Sequence, residues 1–235
     1  MLKAIFFDLD GTLLPFNEDE FIKLYFKLLA QKVCQYGYDP KDLVKHIWAG
    51  THAMYANDGS KTNEKAFWDY FISIYGQKAL DDKPYFDEFY TNEFKQVKQI
   101  CNENNLAKPL INEIKQLGLK VILSTNPIFP YQGTLTRCNF VDLQEQDFDY
   151  ITAYENSCYS KPNPKYYLSL LEKFNLKADE VLLFGNNTYE DGIAQYACGI
   201  KTYMVNDFII NHQKGFDLPK INFDQILATI KKHME

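Results

Sequence analysis

Arginine is nearly missing from this chain. Of its 25 basic residues only Arg137 is an arginine, so bidentate guanidinium clamps on phosphate or carboxylate are nearly unavailable. An anion bound here is expected to meet lysine, metal or main-chain amides. Positive charge is not in excess either: 25 basic residues stand against 31 acidic ones, with a pI near 5.3. That removes the electrostatic footprint of a nucleic-acid or anionic-membrane binder. The five cysteines, Cys34, Cys101, Cys138, Cys158 and Cys198, are scattered and odd in number and form no Cys-x-x-Cys pair, which suits reduced, partly buried thiols rather than a disulfide framework or zinc site. His46, His52, His212 and His233 show no metal-ligand spacing. No apolar run approaches a membrane span, and Asp8 interrupts the N-terminal run before a signal-like core develops. The expectation is a cytoplasmic protein without membrane or nucleic-acid partners.

What is present is a globular composition, 46% hydrophobic and 24% charged over 235 residues, enough for one large core or a core with a smaller lobe. Strand-like runs recur at 4–7, 121–123, 181–184 and 202–205, with a weaker one at 150–153. Helical spacing precedes the later runs. Lys108–Leu117 aligns Leu110, Ile114 and Leu117 and stops at Gly118, while Pro164–Phe174 aligns Tyr167, Leu170, Leu171 and Phe174. Strands alternating with helices predict an α/β fold, a Rossmann-like parallel sheet flanked by helices, with ligands at the carboxyl ends of the strands.

Residues 15–104 contain no convincing strand and read as an inserted all-helical cap domain, leaving 1–14 and 105–235 as the core. Its helices are expected at 18–35, 40–49, 63–74 and 85–101, punctuated at Gly37, at Asn57–Ser60 and at Asp81–Pro84. Tyr25, Phe26, Trp48, Phe67, Trp68, Tyr70 and Phe71 recur at helical spacing, so most are expected to pack the core of this segment rather than a ligand.

The first strand ends in Asp8-Leu9-Asp10-Gly11-Thr12. Two aspartates at the end of a buried strand repel one another and lose hydration, an unfavourable arrangement unless a cation sits between them. Three further stretches fall at or just beyond strand ends: Ser124-Thr125-Asn126, Lys161 in SKPNP, and GNNTYED at 185–191. Parallel topology brings all four to one rim.

With these four motifs, in this order, the chain resembles the haloacid dehalogenase superfamily of phosphohydrolases. Asp-x-Asp-Gly-Thr is intact, VILSTN matches the strand ending in Ser or Thr, and KPNP matches the lysine before a prolyl helix start. GNNTYED matches the Gly-Asp-four residues-Asp motif with one change, Asn186 in place of the first acid. The resemblance implies a hydrolase releasing phosphate from a small phosphorylated metabolite through an aspartyl-phosphate. Asp8 is then the nucleophile, Asp10 the general acid and base, and Thr125 and Lys161 complete the catalytic set. Gly11, Thr12, Asn126 and Lys161 are the implied substrate-binding residues. Ser124 replaces Thr125 if the strand end shifts by one. Mg²⁺ is the implied cofactor, held by Asp8, Asp10 through its carbonyl, Asn186 and Asp191, with Glu190 able to compensate for the lost acid.

Alternatives are a phosphomutase with the same nucleophile, or a binding protein that kept the fold and lost turnover. Dehalogenase chemistry is disfavoured because those enzymes lack the second aspartate. Asn57, Asp58, Lys61, Tyr55 and Trp48 are candidates for facing the rim. The chain is expected as a monomer or homodimer.

Overall fold

In the computed structural model, which describes residues 1–205 and 208–235, the apolar opening run becomes the centre of a sheet. β1 (Ala4–Phe7) is fully buried. It pairs in parallel with β2 (Lys120–Leu123), itself paired with β3 (Tyr150–Ile151). On its other side follow β4 (Val181–Gly185), β5 (Lys201–Val205) and β6 (Lys220–Ile221), also parallel. The described residues thus form a six-stranded sheet in the order β3-β2-β1-β4-β5-β6. Strand periodicity assigns the faces: Ile5, Phe7, Val121, Leu123, Leu182 and Phe184 enter one core cluster, while Ala4, Phe6, Ile122, Val181 and Leu183 enter the other. Burial on both faces is why these strands read as continuous apolar runs rather than alternating ones.

Between β1 and β2 the chain forms α1 (Glu18–Val33), α2 (Pro40–Tyr55), α3 (Asn63–Tyr75), α4 (Gln77–Thr91) and α5 (Ala107–Gln116). The starts of the first three follow capping chemistry. Asn17, Asp39 and Thr62 accept first-turn amide bonds, and Pro40 occupies the first position of α2. Among the aromatics, Tyr25, Phe67, Trp68 and Phe71 are buried as expected, with Trp68 and Phe71 set edge-on against Phe86 at 5.7 and 5.5 Å.

The last helix expected in this segment is displaced. α4 begins at Gln77 and runs through Pro84, and a 3₁₀ stretch follows at Glu93–Ile100. The buried stripe of Ala79, Asp82, Phe86, Phe89 and Tyr90 outweighs the proline, which sequence alone reads as a stop. α2 also extends to Tyr55 rather than ending near Ala49, burying Thr51 and Met54 on its last turns.

The remaining helices are α6 (Tyr131–Cys138), α7 (Pro164–Lys173), α8 (Gly192–Cys198) and α9 (Ile226–Lys232). Of these only α7 is anticipated by the sequence reading. α6, α8 and α9 span seven or eight residues each, too few turns for a periodic signal.

Candidate active site

The strand order reverses beside β1: one connection leads outward to β2 and β3, the next returns to β4 on the opposite side. This switch point is where open parallel sheets leave a crevice at their carboxyl ends. The register levels the strand ends there, with Phe7 opposite both Leu123 and Phe184. Asp8 follows at once, its amide donating to the Phe184 carbonyl at 2.9 Å, while the Ser124 amide donates to the Phe7 carbonyl at 2.7 Å. Parallel pairing therefore delivers Asp8, Ser124-Thr125 and Asn186 to one rim.

Lys161 ties the rim together. Its side chain is 1% exposed, and the ammonium donates to Asp8 Oδ1 at 2.8 Å and Asp191 Oδ1 at 2.6 Å. Burial by itself lowers its pKa, but the Asp191 and Asp8 carboxylates outweigh that and hold it well above the ordinary lysine range. The Asp8 carboxyl is pushed up to about 7, mainly by burial, with Lys161 opposing.

Asp191, expected as a metal ligand, is fully committed elsewhere. Oδ1 accepts from Lys161 and from the Tyr167 hydroxyl at 3.1 Å, and Oδ2 accepts from the Asn186 and Asn187 amides, each at 3.0 Å. Four donors fill the four acceptor positions of one carboxylate. Asp191 thus aims Lys161 and closes the Asn186 loop, its four acceptor positions taken by protein donors. Gly185 is needed for this approach, since a Cβ there would collide with the Asp191 carboxylate.

Arg137 is a site residue that the sequence did not point to. Although too scarce for a substrate clamp, this arginine is fully buried on α6 and forms an ion pair with Asp10 Oδ2. Its guanidinium carbon also lies 4.4 Å from the centroid of the Phe129 ring. The second Asp10 oxygen, Oδ1, is buried with no hydrogen-bond partner among the described residues. Burial raises the Asp10 pKa, opposed by Arg137 and then Lys161. The available signal was a lone arginine one helix after the VILSTN motif, but the helix itself was too short to read.

The other expected residues divide. Thr125 and Asn126 lie on the wall of the cavity that opens above Asp8. Ser124 is fully buried below it, donating to the Phe7 carbonyl. Asn126 Oδ1 accepts from the Lys161 amide at 3.2 Å, and its Nδ2 donates to Glu190 Oε2 at 3.1 Å. Gly11 lines the cavity with φ +74°, a value costly for other residues, and a Cβ there would strike the Asn186 amide. Thr12, expected to contact substrate, is fully buried off the cavity wall.

Of the rim candidates, Tyr55 and Trp48 face the cavity. Asn57 and Asp58 instead serve their own loop, and Lys61 pairs with Asp69 at 2.9 Å. Asn63 escaped the sequence reading altogether. This fully buried residue donates from Nδ2 to the Pro127 carbonyl and Ser160 Oγ, both at 3.1 Å, locking α3 onto the loops that carry Asn126 and Lys161.

Among the described residues no group of three or more His, Cys, Asp or Glu side chains is placed to hold a metal. What the rim offers is an all-oxygen set: the Asp8 carboxylate, main-chain carbonyls and the Asn186 amide oxygen, whose nitrogen is committed to the Phe208 carbonyl at 2.9 Å. One carboxylate with neutral oxygens suits a hard divalent cation that keeps waters and takes further ligands from a phosphate. Glu190 stands on the same wall, its carboxyl pushed up to about 8 by burial.

A pyrophosphatase, PpaX, of Bacillus mycoides is 24% identical over 206 residues, covering 87% of this chain and 84% of its own. A glyceraldehyde 3-phosphate phosphatase of Pyrococcus abyssi is 24% identical over 212 residues, covering 86% and 80%. The crystal structure of a 2-haloacid dehalogenase from Pseudomonas syringae pv. Tomato superposes with a TM-score of 0.66 at 18% identity, covering 99% of each chain. The sequence profile of the haloacid dehalogenase-like hydrolases matches residues 5–205, and the chain belongs to that family.

Proposed function

We propose that the protein is a Mg²⁺-dependent phosphatase that removes phosphate from a small phosphorylated metabolite through an aspartyl-phosphate on Asp8. The observation that carries this reading is Asp8 held at the sheet's switch point, with Lys161 against one oxygen and Asp10 on the same cavity wall. The relatives named for pyrophosphate and glyceraldehyde 3-phosphate hydrolysis support the reaction class. On this reading residues 1–14 and 105–235 are the catalytic core and 15–104 the cap. The protein acts in the cytoplasm as a monomer or homodimer.

Asp8 Oδ attacks phosphorus while the bond to the leaving oxygen breaks, and Asp10 delivers the proton that oxygen needs. Asp10 then takes a proton from water as the water oxygen attacks phosphorus, and the bond to Asp8 breaks to release phosphate. Lys161, the Thr125 hydroxyl and the Asn126 amide face the charge on the phosphoryl oxygens. Arg137 holds the Asp10 carboxyl by one oxygen and leaves the other for proton transfer. The Asp8 carboxylate, the Asp10 carbonyl and the Asn186 amide oxygen would hold Mg²⁺, which would supply neutralising charge at the phosphoryl group.

Phosphate release from small monoesters, measured with Mg²⁺ and with EDTA, tests the proposal. Release is expected to need Mg²⁺, to vanish in Asp8→Asn and to rise in Asn186→Asp at limiting Mg²⁺. Ligand binding without turnover is the competing reading, and Asn186 is what favours it. Esters left intact by all three proteins, together with ligand-induced stabilisation that survives EDTA, would support it instead.

A further inference from the structure

The cavity above Asp8 has a volume of about 510 Å³, the size of sites that take drug-sized ligands and far more than a phosphoryl group needs. Its far wall is aromatic: Tyr25, Phe26, Trp48, Phe67, Trp68 and Phe86 all line it. The sequence reading assigns such residues to packing, and most of them do both, burying one side in the helical segment and presenting the other to the cavity.

Its charge is one-sided. Among the described residues no lysine or arginine lines this cavity, whereas Glu18, Asp19 and Asp87 do, besides the aspartates of the rim. The nearest cations are already spent: Lys161 on Asp8 and Asp191, Arg137 on Asp10, and Lys83 on Asp87 at 3.0 Å. A second phosphate or a carboxylate on the substrate would lose its hydration among carboxylates without gaining a partner. An apolar or aromatic body loses nothing there and covers ring surface.

We infer that the substrate is a phosphate monoester whose leaving group is a large apolar or aromatic body carrying no second negative charge. The inference rests on the phosphatase reading and narrows it. It excludes substrates with a second anionic group, such as pyrophosphate and phosphoglycolate, which are small as well as anionic at both ends.

The test compares kcat/KM for 1-naphthyl phosphate, phosphoglycolate and pyrophosphate in the Mg²⁺-loaded protein. The naphthyl ester is expected to lead by at least tenfold. Trp48→Ala, at a residue 41% exposed and so tolerant of truncation, is expected to cut that lead at least fivefold, mainly through the KM of the naphthyl ester. Phosphoglycolate or pyrophosphate matching the naphthyl ester overturns the inference and leaves the phosphatase reading standing. Release from none of the three overturns the phosphatase reading. The cavity's preference is then read by calorimetric titration of 1-naphthyl phosphate and phosphoglycolate into the intact protein. Tighter naphthyl binding supports the inference, and equal or weaker binding overturns it.

Discussion

Replacing Arg137 by methionine removes the only cation paired with Asp10 among the described residues. Breaking a buried ion pair by deleting one partner costs about 3–5 kcal/mol, because the survivor is left desolvated and uncompensated. Two features place this case at the lower end. The Asp10 side chain is 31% exposed, and the stranded carboxyl escapes part of the cost by taking a proton. Arg137→Met is therefore expected to destabilise by about 3 kcal/mol at pH 8. The cost shrinks towards pH 4: a carboxyl whose folded pKa is raised keeps its stability below the unfolded value near 3.8 and loses it as pH climbs through the folded one. Asp10→Asn leaves the fully buried guanidinium facing a neutral amide and is expected to cost a similar amount. The double variant should cost no more than either single one, giving a coupling of at least about 2 kcal/mol. Urea unfolding followed by the fluorescence of Trp48 and Trp68 measures all four corners of the cycle. Additivity to within about 0.5 kcal/mol would refute the argument that the pair acts as one buried unit.

Other perturbations have defined outcomes. Lys161→Met strands Asp8 and Asp191 together without a cation, and phosphate release is expected to fall by about 10²–10³, as when a single transition-state donor is removed; a loss under tenfold would remove Lys161 from the catalytic set. Glu190 is held protonated by burial up to about pH 8, so the wild-type unfolding free energy should decline between about pH 4.5 and 8. Glu190→Gln should take about one proton out of that slope, and parallel stability profiles in urea would show that Glu190 ionises normally. Gly11→Ala forces φ +74° on a side chain and drives its Cβ into Asn186. It should cost about 1–3 kcal/mol in thermal unfolding and weaken Mg²⁺ binding in calorimetry, whereas an unchanged affinity would detach Asn186 from the metal.

Much of this protein was legible in its sequence because its signals are local. Four apolar runs with helical spacing between them describe a parallel sheet covered on both faces, since strands buried on two sides lose their alternation. DLDGT, STN and GNNTYED fall at strand ends and KPNP in a loop beyond one, by chain position alone, and parallel connectivity then requires them to share a rim. What only the tertiary structure decided depends on distant partners and on packing. Pro84 lies inside a helix because the buried faces of Phe86 and Phe89 outweigh its local preference. Asp191 became the anchor of Lys161 because two loop amides and Tyr167 converge on it. Arg137 meets Asp10 across 127 positions of sequence, a pairing no local pattern encodes. The cavity's aromatic wall and its lack of cations arise from which faces of α1 to α4 turn towards the sheet, and a helix's periodicity states that it has an apolar face without stating what that face meets.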